Sequence, residues 1–150
     1  MQCGKCKNTA VYSRKYSGES LCSTCFSNSI LRKMAKTISK YKMIKNNDLV
    51  CVGVSGGKDS LVLLDVLNKM SKTHNFRLFA VTIDEGIPGY RDEALKIVES
   101  FCAQLNIQHK VFSYKKLFDL TLEESLELRK DQKLSSCSIC GIFRRRALDH

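Results

Sequence analysis

Apolar residues are scattered over the first 27 positions, too sparsely for that segment to build a core of its own. From Asn28 to Lys45 the pattern changes. Ile30, Leu31, Met34, Ile38, Tyr41 and Ile44 recur every three or four residues, which predicts an amphipathic helix with lysines on its opposite face. Asn46-Asn47-Asp48 ends that helix and leads into "LVCVGV" (49–54), a β-branched run that reads as a strand. A helix from about Asp59 to Met70 follows, then the strand "RLFAVTID" (77–84) and the turn "EGIPGY" (85–90). A second helix, from about Arg91 to Leu105, turns Ala94, Leu95, Val98, Phe101, Cys102 and Leu105 inward. "IQHKVFSY" (107–114) is a third strand, "LTLEESLELRK" (120–130) a short helix, and "KLSSCSICGIFRRRALDH" (133–150) a loop entering a last helix.

Strand alternating with helix predicts an α/β fold, a parallel Rossmann-like sheet with crossover helices. Three strands fall short of a finished doubly wound sheet, whose first strand is normally flanked on both sides. The last helical pattern also runs to residue 150. The expectation is the front part of a longer protein, organised as a small module at 1–27, a basic connecting helix at 28–47 and a nucleotide-binding domain over 48–150.

No apolar run approaches the roughly 20 residues that span a bilayer. "MQCGKCKNTA" has no signal-peptide core, so no membrane association is expected and the cytoplasm is the expected compartment. The net charge of +10 is unevenly placed. Residues 1–47 hold ten Lys and Arg against Glu19 alone, whereas the remainder holds fifteen against fourteen acids. A localised basic field attracts phosphate backbones, though a solvated face that keeps the chain soluble has the same composition.

Eight cysteines in a chain without a secretory signal point to metal or redox chemistry. Cys3-x2-Cys6 and Cys22-x2-Cys25, fifteen residues apart, have the two-knuckle spacing of a four-thiolate zinc site. Two disulfides or an iron site are the alternatives. With four thiolates and no open position, the role is structural, and the metal supplies folding energy that the module lacks. Cys137-x2-Cys140 cannot close a metal site alone. Redox pair, partial iron–sulfur ligation and half of a second zinc site all remain open on spacing. Cys51 and Cys102 fall in apolar patterns and read as inert core residues.

The first strand runs into Ser55-Gly56-Gly57-Lys58-Asp59-Ser60. A Walker A loop requires glycine at position 52 and Ser or Thr after the lysine. Val52 and Asp59 stand there instead, which argues against γ-phosphoryl transfer. The glycines let backbone N–H groups close around phosphate oxygens at the following helix, with serine hydroxyls, the Lys58 charge and a metal-binding carboxylate on Asp59 beside them. This stretch resembles the PP-loop (SGGxDS) of the adenine-nucleotide α-hydrolases, which cleave ATP between the α- and β-phosphates. The resemblance implies ATP with Mg2+ on the loop, and adenosine against the end of the second strand at Val81, Thr82, Ile83 and Asp84.

The order of twin CxxC module, basic helix, "SGGKDS" and "CSICGIFRR" (137–145) is similar to that of the tRNA 2-thiouridine synthetases, which comprise wobble-uridine enzymes and relatives acting on the T-loop. That resemblance implies adenylation of the uridine C2 oxygen, release of pyrophosphate, sulfur attack at C2 and departure of AMP. It makes Cys137 and Cys140, with Asp59, the expected catalytic residues. The two cysteines would be two of three ligands to a 4Fe–4S cluster or, on an older reading, a persulfide carrier and its resolving partner. Arg144 matches an arginine near the nucleotide phosphates. tRNA, gripped partly by the N-terminal module, is the implied partner, with sulfide or a ubiquitin-like thiocarboxylate protein as sulfur donor and a homodimer as a possible assembly. The third cluster cysteine and a later nucleotide segment of that family lie beyond residue 150. A non-catalytic tRNA-binding adaptor and a PP-loop ligase on another substrate are the rival readings.

Overall fold

A computed structural model describes residues 1–87, 89–128 and 135–149, and divides the chain into two compact units, Met1–Lys45 and Asn46–His150. The end expected for the short helix at 129–130 and the start expected for the loop at 133–134 lie outside the described residues.

In the first unit, strands β1 (Tyr12–Ser13) and β2 (Ser20–Leu21) pair antiparallel and are followed by helix α1 (Ser23–Lys40). The helix begins five residues before its apolar period does. Cys22 caps it, its sulfur accepting from the Cys25 N–H at 3.5 Å. The second CxxC knuckle is therefore the first turn of the helix. Cys3, Leu21 and Cys22 form the buried centre, with Cys25 and Phe26 packed against them. Arg14 is nearly buried and is satisfied by Glu19 Oε2 at 2.7 Å and Ser29 Oγ at 2.6 Å. Ile30, Leu31, Met34 and Ile38 are half-buried on one face, while Tyr41, past the helix end, is exposed.

The second unit is built on a parallel sheet of strands β3 (Leu49–Gly53), β4 (Arg77–Asp84) and β5 (Gln108–Ser113), in the order β3-β4-β5. Helix α2 (Lys58–Ser71) joins β3 to β4, and α3 (Tyr90–Leu105) joins β4 to β5. β4 is central and buried, as its near-continuous apolar run requires. Its even positions Ala80 and Thr82 are fully buried and, by strand alternation, face away from Val81 and Ile83. Val81 and Ile83 enter a core with Tyr114, Leu122, Ile139 and Ala147. These last come from α4 (Tyr114–Phe118), α5 (Leu122–Glu127) and α6 (Ser136–Leu148). α4 takes the final residue of the expected third strand. Its Tyr114 and Phe118 pack against Phe143 at centroid distances of 5.5 and 5.0 Å, which seats α6 on the sheet.

This arrangement corrects the reading of Cys51. Cys51 pairs in register with Phe79 and so lies on the sheet face that carries the α6 core, yet the described residues leave that face accessible at β3. Cys51 is exposed, as is its neighbour Leu49, 54% accessible. Cys102 is buried as expected.

Candidate active site and metal centre

In the first unit, the sulfur atoms of Cys3, Cys6, Cys22 and Cys25 all lie within 4.8 Å of one another. Cys6 Sγ is 3.4 Å from Cys22 Sγ and 3.5 Å from Cys25 Sγ. Those gaps are too long for disulfides. They approach the roughly 3.8 Å edge of a tetrahedron with ~2.3 Å metal–sulfur bonds. Backbone N–H groups address the sulfurs, as when Lys5 N donates to Cys3 Sγ at 3.4 Å. Such N–H donors, that of Cys22 foremost, bring the Cys3 thiol down to about 6. Cys25 is driven up to about 12, first by its contact with Cys6, because neighbouring thiolates cannot all ionise without a cation between them. The donor set fits a tetrahedral thiophilic metal.

In the second unit, β3 delivers the chain into the glycine loop. Gly56 adopts φ +86°, and a Cβ there would stand 3.0 Å from both the Cβ and the carbonyl oxygen of Ala94. Only glycine fits between loop and α3. Ser60 folds back to knit the loop: its Oγ donates to Gly57 O at 2.8 Å and accepts from Ser55 N at 3.2 Å. Gly57 caps α2 without a side-chain hydrogen bond, so the positive end of a 14-residue helix is left open. Lys58 and Asp59 stand at its mouth, both highly exposed and 3.6 Å apart. This arrangement suits a polyphosphate.

Beyond the loop lies a cleft of about 300 Å3. Ser55, Val81, Ile83, Cys140 and Arg144 line it, so five residues singled out from sequence meet there. Asp84, the last residue of β4, is held by the turn that follows: its Oδ1 accepts from Gly86 N at 2.9 Å. Thr82 is engaged inside the sheet. Its hydroxyl donates to Val54 O at 2.8 Å and lies 2.8 Å from His109 Nε2. Burial lowers the pKa of His109, partly opposed by Glu99.

Cys137 and Cys140 sit on the first turns of α6, capped by Ser135, whose Oγ accepts from Ser138 N at 3.2 Å. Cys137 is exposed and Cys140 half-buried. Tyr114 OH donates to Cys140 O at 3.0 Å and is 3.8 Å from its sulfur, and burial followed by that contact raises the tyrosine pKa. Of the three consecutive arginines, Arg144 is the one that lines the cleft, with an amino group 3.3 Å from Cys140 Sγ. Burial opposes its charge, but Glu85 and Cys140 more than compensate, raising its pKa. Among the described residues, the N-terminal tetrad is the one group of three or more metal-ligating side chains gathered together. Among those residues, no third metal-ligating side chain is gathered with Cys137 and Cys140.

Two residues of the cleft escaped the sequence reading. Glu85, 4% exposed, accepts from Arg144 at 2.7 Å through Oε1. Its Oε2 faces Arg91 Nε at 2.8 Å, a close ion pair whose N–H is not aligned for a hydrogen bond. Arg91, 6% exposed, also donates to Ser55 O at 3.2 Å and to Ile83 O. "EGIPGY" read as a turn, and no local signal marks a turn glutamate as buried.

Comparison with known proteins agrees with this geometry. A PP-loop domain model matches residues 27–129, and the model for the N-terminal LIM domain of the 2-thiouridine synthetase TtuA matches residues 2–27. The cytoplasmic tRNA 2-thiolation protein 1 of Dictyostelium discoideum is 37% identical over 141 residues, 93% of this chain and 39% of the relative. A probable sulfurtransferase of Methanocaldococcus jannaschii is 38% identical over 148 residues, 96% of this chain and 43% of the relative. The chain thus spans about two fifths of the curated relatives it matches. Among solved structures, the U34-tRNA thiolase NcsA from Methanococcus maripaludis with its [4Fe-4S] cluster superposes with a TM-score of 0.84 at 36% identity, covering 99% of this chain and 48% of that one. An NH3-dependent NAD synthetase from Campylobacter jejuni, at 21% identity and TM-score 0.57, shares the fold over 82% of this chain and 49% of its own. With the loop, the parallel sheet and the N-terminal cysteine tetrad in place, the chain belongs to the PP-loop family, in the branch that carries the 2-thiouridine synthetase type of N-terminal domain.

Proposed function

We propose that the chain works, within the whole protein, as the ATP-binding part of a cytoplasmic tRNA uridine 2-sulfurtransferase that forms AMP. The observation that carries this reading is a single cleft in which the first loop residue, Ser55, and the Cys140–Arg144 pair share walls. A nucleotide on the loop would present its α-phosphate toward a cysteine-bearing helix, which a simple ATP-binding module does not require. The relatives named for tRNA 2-thiolation support the substrate, and the [4Fe-4S] cluster of the similar NcsA thiolase supports the cluster.

On this reading ATP would bind with its pyrophosphate at the open end of α2, and Val81 and Ile83 would form an apolar wall for adenosine. The glycine loop would hold the leaving pyrophosphate by backbone N–H groups. Lys58 would add charge, and Asp59 would hold Mg2+ at the helix mouth. The uridine C2 oxygen attacks the α-phosphorus, the α–β bridging bond breaks, and sulfur then displaces AMP, which keeps that oxygen. Arg144 would neutralise charge developing on the phosphate. Cys137 and Cys140 would hold two irons of a 4Fe–4S cluster, which when bound supplies the site from which sulfide is delivered. Zinc on Cys3, Cys6, Cys22 and Cys25 would stabilise the first unit, whose Lys33, Lys36 and Lys40 would meet tRNA phosphates. Sulfide or a thiocarboxylate protein would donate the sulfur.

The test is anaerobic turnover by the full-length protein with ATP, tRNA and sulfide. AMP and pyrophosphate should form in step with 2-thiouridine, and Asp59→Ala should abolish both while leaving tRNA affinity within about twofold. ADP as the main nucleotide product would overturn the proposal, and tRNA binding without turnover would establish the adaptor reading instead.

A further inference from the structure

We propose that Glu85 is a positioning residue: it holds Arg144 over the Cys140 thiol and, through Arg91, ties that pair to the first residue of the phosphate loop. The inference rests on reading the cleft as the place where nucleotide and sulfur chemistry meet.

The connection is continuous. Ser55 O accepts from Arg91 at 3.2 Å, Arg91 Nε faces Glu85 Oε2 at 2.8 Å, and Glu85 Oε1 accepts from Arg144 at 2.7 Å. The same Arg144 amino group is 3.3 Å from Cys140 Sγ. Three stretches far apart in sequence, at Ser55, at Glu85 to Arg91 and at Cys140 to Arg144, are thus linked by one carboxylate between two guanidinium groups. The carboxylate itself is fixed by its backbone. Leu122 N donates to Glu85 O at 2.9 Å, and the next residue, Gly86, has φ +73° with no room for a Cβ, which would stand 2.8 Å from Thr121 Cγ2.

Arg144 needs such an anchor. Its side chain is 51% accessible, and a long flexible cation at a helix surface gains rotamer freedom by extending into water. Tyr114 separately bonds the Cys140 backbone carbonyl at 3.0 Å, with its hydroxyl 3.8 Å from the sulfur. Arg144 and Cys140 stand one turn apart on α6, so the helix brings them near and Glu85 selects the Arg144 rotamer that closes on the sulfur. A purely structural role, in which Glu85 only neutralises buried Arg91, makes no demand on where Arg144 points.

The two roles differ in sign. In full-length protein stripped of iron by a chelator and kept reduced and anaerobic, so that Cys140 is a free thiol, the rates of alkylation by iodoacetate and by iodoacetamide are measured at each cysteine by peptide mass spectrometry. The ratio of the two rates cancels the thiolate fraction and reads the field that an approaching anion meets. A unit charge at 4 Å in water changes such a rate about fivefold. The wild-type ratio at Cys140 should exceed that at exposed Cys137. In Glu85→Gln the ratio at Cys140 should fall about threefold, because Arg144 leaves, while that at Cys137 stays constant. Were Glu85 only a negative charge in the wall, its removal would raise the ratio. Glu85→Asp keeps the charge opposite Arg91 but shortens the arm. It should lower the ratio as well, and it decides the matter if the glutamine variant fails to fold. A rise or no change at Cys140 overturns the proposal. Neither ATP nor tRNA enters this assay, so a wild-type protein that thiolates no tRNA would refute the functional reading and leave this result standing.

Discussion

The two glycines of the phosphate loop are adjacent, but the structure requires them for different reasons, and stability measurements on alanine variants separate the two. At Gly56 the backbone is left-handed, φ +86°, which costs an L-residue roughly 1–2 kcal/mol. The new Cβ would also stand 3.0 Å from the Ala94 carbonyl oxygen, part of the α3 backbone that cannot rotate away. Overpacking of that kind adds about 1–3 kcal/mol. Gly56→Ala should therefore destabilise the second unit by about 2–5 kcal/mol, a large share of the ~5–15 kcal/mol typical of a domain. Gly57 has φ −74°, and its Cβ would meet only the Ser55 hydroxyl at 3.4 Å, a side chain free to turn. Reduced freedom of the unfolded chain favours alanine there by about 0.4–1 kcal/mol, so Gly57→Ala should be neutral or mildly stabilising. Urea unfolding followed by circular dichroism measures both. Ala94→Gly in the Gly56→Ala background should recover part of the loss, since it removes the Cβ contact and leaves the carbonyl. Equal costs at the two glycines, or a Gly56→Ala change below about 0.5 kcal/mol, would refute the steric account.

Replacing Cys22 with Ser should release one equivalent of zinc and unfold the first unit while sparing the parallel sheet, because structural zinc contributes on the order of 10 kcal/mol to such modules; metal analysis and circular dichroism check this, and stoichiometric zinc in the variant refutes it. His109 should make the second unit acid-sensitive. Its folded pKa lies below the usual 6.5, so the unfolded state binds the proton first; stability is complete above about 6.5 and is lost as pH falls through that value. The slope is at most about 1.4 kcal/mol per pH unit, and less for a half-buried ring open to solvent screening. His109→Gln should flatten the dependence of the urea midpoint on pH between 7.5 and 5.5, and an unchanged dependence would assign it to other groups.

Features fixed by local chemistry were legible in the sequence. The strand at 77–84 matched to the residue because a near-continuous apolar run between polar breaks is itself the signature of a central parallel strand. The cysteine tetrad was legible because knuckle spacing is a local constraint. The start of α1 was not, since Ser23 to Asn28 lack an apolar period and take their helical form from the cap at Cys22. Tyr114 read as strand because its apolar character did not reveal that α6 would pack on it. Cys51 read as core because an apolar run in a strand does not show which of its faces is covered.

Glu85 and Arg91 mark the deepest limit of a one-dimensional reading. Their signals are those of a solvated turn and a helix start, and both are nevertheless removed from water. Desolvating such charges costs several kcal/mol each, which attraction between them recovers only where hydrogen bonds satisfy the remainder. Here Arg91 Nε lacks an aligned acceptor, so the network is not even fully satisfied. Apolar residues of similar volume at such a junction are often neutral or stabilising. Stability alone therefore gives no account of a glutamate and two arginines at the ends of β3 and β4. The proposed function does, because it would need a cation beside both the phosphate loop and a cysteine, and one carboxylate between two guanidinium groups leaves a net positive charge fixed in direction. The elements that carry the trio are joined through the sheet, and the positions of its charges follow from where the strands end.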